Sequence, residues 1–81
     1  MNLDKNIETF DFLKNRWPLA DVLKALIALN RINVTRFATE QNINAVNMRC
    51  TVNRFRNHSH SMAAISRKLG IPSRELFDGK R

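Results

Sequence analysis

With 81 residues the chain has room for one domain and one core, a size at which folding hides only about 60% of the unfolded surface. Its 43% hydrophobic content, two glycines and two prolines exclude a disordered tail, and its length leaves little room for a multi-site enzyme. Fourteen Lys and Arg against seven Asp and Glu leave a formal charge of +7, which favours a polyanionic partner, nucleic acid before an anionic membrane surface.

Residues 1–16 read as an N-terminal extension or a short helix, because Leu3, Ile7 and Phe10 recur at helical spacing while Phe12 and Leu13 blur the stripe. The first strong element is a helix over 18–30. Pro18 suits its first position, and Leu19, Val22, Leu23, Leu26 and Ile27 form one wide apolar face. A second helix is capped by Asn33 and runs to about Gln41, with Ile32 stapled to Phe37. The same signature returns three residues later, where Asn44 caps a helix over 44–56 and Ile43 staples to Met48. In that helix Met48, Val52 and Phe55 fall at i, i+4 and i+7 and are expected to face the core. His58 and His60 fall in an expected surface loop. Ser61 is the expected cap of a further helix whose Met62, Ile65 and Leu69 point inward and which Gly70 terminates, with Ile71 closing the turn. A last helical turn from Pro72 carries Leu76 and Phe77, and residues 78–81 are a basic tail. No strand pattern or internal repeat is present. The expected fold is all-α, a compact domain of four to five helices over 17–77.

The charge is unevenly spread: residues 1–30 net zero, whereas residues 31–81 hold ten basic side chains against Glu40, Glu75 and Asp78. One electropositive face is expected from this asymmetry. Cys50 is the single cysteine and cannot form an intramolecular disulfide, and the N-terminus has neither the basic start nor the apolar run of a signal peptide. The chain reads as cytoplasmic. No apolar run approaches the roughly 20 residues of a membrane span.

Two short helices joined by a tight turn, after a longer apolar helix and before another, is the element order of a DNA-binding helix-turn-helix domain. Ala38 is small where the two helices must approach, and Asn42 tolerates a left-handed turn; Gln41 sits where such motifs usually carry an apolar residue. On the wheel of helix 44–56, Val46, Arg49, Cys50 and Asn53 lie opposite the core residues. They are the candidates for base contacts: Arg pairs with guanine, Asn with adenine, Val46 can meet a thymine methyl, and Cys50 permits close approach. Asn44, Asn47, Arg54 and Arg56, with Thr35 and Arg36 at the start of the preceding helix, are the candidates for backbone phosphate.

Residues 17–77 resemble the lambda-repressor-like domains and, within them, the Ner-like regulators of transposable phages. The resemblance rests on Trp17 with Ala20-Asp21-Val22, on Phe37-Ala38 and Asn42-Ile43, and on Ile65 through Leu69-Gly70. Where the Ner-like pattern has Trp-Pro after the recognition helix, this chain has Arg56-Asn57-His58. The resemblance implies transcriptional repression at an operator in double-stranded DNA. A homodimer is expected, because one recognition helix reads too few base pairs for a typical specific affinity. Leu76 and Phe77 are the expected pairing surface, Phe10 and Phe12 the second choice. Two other readings use the same residues: a recombination directionality factor that bends DNA as an excisionase does, and a protein-interaction module built around Val46 and Cys50. Cys50, His58 and His60 match no zinc-site spacing, and neither a metal, a cofactor nor a catalytic residue is expected.

Overall fold

A computed structural model describes residues 3–78, with the backbone alone for Asp78, and the described chain is entirely helix and turn. Six helices follow one another: α1 (Leu3–Leu13), α2 (Leu19–Leu29), α3 (Val34–Glu40), α4 (Ala45–Val52), α5 (Ser59–Leu69) and α6 (Ser73–Asp78). All the expected helices are present, and α1 joins them as an integral part of the core. The expected basic tail lies, beyond Asp78, outside the described residues.

The core is built where the apolar periodicities converge. Val22, Leu23, Leu26 and Ile27 of α2 meet Phe37 and Ala38 of α3, Met48 and Val52 of α4, Ala64, Ile65 and Leu69 of α5, and Leu76 and Phe77 of α6. Helix α1 adds Phe10 to this cluster and packs against α2 and α5. It also carries a polar device that its sequence does not announce as buried. Asn6 is fully enclosed; its amide donates to the Leu69 carbonyl at 3.1 Å and its oxygen accepts from Asn30 at 2.8 Å. Asn30 in turn donates to the Leu26 carbonyl at 2.6 Å, so two side-chain amides tie α1 to the C-terminal ends of α2 and α5. Burying an amide is tolerable only when it is hydrogen-bonded in this way.

Helices α2 to α5 share one way of ending. A residue with positive φ follows each of them: Arg31 (φ 55), Asn42 (φ 57), Arg54 (φ 66) and Gly70 (φ 73). The N–H of the next residue then reaches back to the carbonyl five positions earlier, Ile32 to Ile27, Ile43 to Ala38, Phe55 to Cys50 and Ile71 to Ser66. This geometry satisfies the terminal carbonyls and turns the chain sharply. Asn42 and Gly70 are residue types suited to that conformation. Arg31 and Arg54 are not, and their local cost of about 1 kcal/mol or more is set against the backbone bonds that each turn makes.

The caps also depart from expectation at two places. Helix α4 ends at Val52 instead of running to residue 56, because the left-handed turn at Arg54 stops it. Phe55 is consequently not in the core: it is 84% exposed. Helix α5 is capped by His58 and not by Ser61, which is buried in its first turn. The Ser61 N–H donates to His58 Nδ1 at 3.3 Å, and the Ser61 hydroxyl lies 2.7 Å from the same nitrogen. The two histidines therefore belong to the start of α5 and not to a free loop; their rings meet edge-on at 5.8 Å.

Candidate nucleic-acid interface

Helix α3 packs chiefly on α4, and the turn between them is short because Ala38 is fully buried at the approach and Asn42 takes the left-handed conformation. Asn33 caps α3 by accepting from the Arg36 N–H at 3.0 Å, and Asn44 caps α4 by accepting from Val46 N–H at 2.8 Å and Asn47 N–H at 3.3 Å. Gln41, the atypical residue before the turn, is exposed, so its amide needs no buried partner. Met48, Thr51 and Val52 anchor the inner face of α4. Its opposite face carries Val46, 53% exposed, with Arg49 exposed and Cys50 half-buried.

The ten candidate contact residues separate into groups. Val46, Arg49 and Cys50 lie on α4 with the exposures just given. Asn53 is exposed but lies just beyond the helix as its C-cap, with its amide folded back on the Arg49 carbonyl at 3.0 Å. Asn44 is committed to its cap. Arg56 is exposed and donates to the Asn47 side-chain oxygen, which brings the segment after α4 back against that helix's first turn. Thr35 is exposed on α3, its carbonyl accepting from Thr39 Oγ at 3.1 Å. Arg36 is exposed as well, and it lines a concavity with Asn30, Arg31, Glu40 and Lys68 to which α4 contributes nothing.

Arg54 stands apart from the other nine. Its guanidinium donates to the carbonyls of Phe77 at 2.6 Å and Leu76 at 3.0 Å and stacks 5.1 Å from the centroid of the Phe77 ring. Three orbiting demands thus hold it: two open carbonyls at the end of α6, the helix dipole that favours a cation there, and the ring face. It clamps the end of α4 to α6, so in this structure its guanidinium is engaged within the protein where a phosphate contact was expected. No local pattern announces this, because its partners are 22 and 23 positions away in the chain.

Charge along this part of the chain is one-signed. Between Glu40 and Glu75 the chain has no carboxylate side chain, while Arg49, Arg54, Arg56, Arg67, Lys68 and Arg74 all fall in that stretch. Among the described residues, no three of His, Cys, Asp and Glu come together as a metal site would need, and no helix is long and apolar enough to cross a membrane. No family model, curated protein or solved structure matches the chain.

Proposed function

We propose that this chain is a sequence-specific DNA-binding transcriptional regulator, a repressor of the phage or prophage kind acting in the cytoplasm, that lays α4 in the major groove. The observation that carries this reading is a short helix, packed across α3 through a tight turn, that presents Val46 and Arg49 outward from a stretch free of carboxylates. With its side chains an α-helix such as α4 is about 10–12 Å across, which the roughly 12 Å wide major groove admits. Arg49 supplies the guanine-type contact and Val46 the thymine-methyl contact. Arg56, Asn47 and Thr35 flank them as phosphate ligands, so that position and sequence are read by different side chains.

The test is protection mapping on DNA flanking the protein's own gene, combined with a salt titration of duplex binding. Counterion release predicts that log K falls with log salt by about 0.9 for each phosphate neutralised. A defined footprint with that slope supports the reading. A protein that leaves every duplex unprotected at low salt is not a DNA-binding regulator.

A further inference from the structure

At three of the four left-handed helix ends, the apolar residue that follows the turn packs back on the core: Ile32 and Ile43 are partly buried against it, and Ile71 is buried. The fourth behaves oppositely. Phe55 follows the same turn, with the same backbone hydrogen bond to Cys50 at 2.8 Å, yet is 84% exposed. The residue before it, Arg54, is instead the one that turns inward, onto the end of α6 and over the buried Phe77 ring. A non-glycine residue is held at φ 66 on two carbonyls of α6, and the outcome is a large aromatic ring aimed into solvent. Exposing such a ring forfeits stabilisation that the other three ends gain.

Its surroundings indicate what covers it. Phe55 lies between Arg54 and Arg56, at the end of the helix that presents Arg49, and Arg56 is drawn against Asn47 on the first turn of that helix. No carboxylate occurs within fourteen residues of Phe55 in the chain, Glu40 being the nearest. With Arg54 engaged on α6, an exposed ring followed by the exposed Arg56, in a stretch of chain without carboxylates, suits a polyanion whose interior is flat, apolar and stacked. We infer that Phe55 is a wedge that enters between adjacent base pairs from the minor groove, next to the major-groove site of α4, and kinks the duplex. This rests on the DNA-binding reading and adds a bending activity to it. Apolar wedges of this type unstack one base step and bend DNA by roughly 20–90°.

The experiment uses the full chain and a 30-base-pair duplex of mixed sequence carrying a fluorescence donor and acceptor at its ends, with relaxation of a closed circular plasmid by topoisomerase as a second readout. The parent protein shortens the end-to-end distance and leaves the plasmid unwound. Phe55→Ala melts at the parent's temperature, as a side chain so exposed requires, and keeps the salt slope. It leaves the duplex straight and binds about tenfold more weakly. Phe55→Leu, still an apolar wedge, retains most of the bend. A parent that binds without bending, or an alanine variant that bends as the parent does, overturns the wedge and leaves the DNA-binding reading standing. If the free parent self-associates and Phe55→Ala abolishes that association, the ring is a contact between copies and the wedge is overturned. A parent that binds no duplex at low salt removes the DNA-binding reading itself.

Discussion

Arg49 and Arg54 are five residues apart and chemically alike, yet their environments assign them opposite work. Arg49 is exposed on α4 and is expected to read a base; Arg49→Ala should cost about 1–3 kcal/mol of discrimination between operator and random DNA and leave the melting temperature unchanged. A competition binding titration with both DNAs, alongside calorimetry, checks this. Arg54 is bonded to the last carbonyls of α6, so Arg54→Ala should instead lower stability by about 2 kcal/mol in chemical denaturation. Arg54→Lys should recover little of that loss, because an ammonium cannot reproduce the planar fork over Phe77. Asn6 poses the same kind of question for α1. Removing its amide leaves the Leu69 carbonyl and the Asn30 amide without that buried partner, and Asn6→Ala should destabilise by about 1–3 kcal/mol in urea titration.

At the level of elements, the repeated left-handed ending explains how six helices fit into so short a chain. Each such turn reverses direction in few residues and satisfies its own carbonyls. Gly70 is the most constrained of the four. A Cβ there would sit 3.0 Å from two atoms of Leu3 in α1, in addition to the cost of φ 73. Gly70→Ala should therefore lower stability by about 1–2 kcal/mol and loosen α1, which hydrogen exchange of the α1 amides would register. Phe37 links two elements, lying in the core and beside Ile32 on the entry to α3. Its truncation to alanine should cost about 3–5 kcal/mol by calorimetry, and with α3 displaced, α4 would lose the partner that orients it.

For the whole molecule the open element is how two copies would share an operator. Two-fold pairing would centre half-sites about 10–10.5 base pairs apart, or roughly 34–36 Å, as inverted repeats. Leu76 and Phe77 do not provide the pairing surface expected of them, since both are buried, and so is Phe10. Phe12 is 59% exposed, with the Arg16 guanidinium 4.0 Å from its ring centroid, and is what remains of the expected surfaces. Sedimentation of the protein with one operator duplex should give two chains per duplex. One chain per duplex with an asymmetric footprint would mean that a single α4, assisted by its flanks, supplies the specificity.

Local chemistry, legible residue by residue, accounts for much of the fold. Apolar stripes at helical spacing located α2 to α5, Asn33 and Asn44 capped α3 and α4 as their side chains dictate, and Asn42 and Gly70 marked the turns that need positive φ. The outward positions of Val46 and Arg49 follow from helical geometry once Met48 and Val52 are inside. The remainder depends on contacts between residues far apart in the chain, which no local pattern carries. Phe55 satisfies the periodicity of an inward residue, and nothing near it in sequence shows that the chain turns left-handed at Arg54 and ends the helix before reaching it. Arg54 looks like any exposed cation until the end of α6 arrives beside it. Asn6, Leu76 and Phe77 acquire their burial the same way: a helix side becomes core only when another helix covers it.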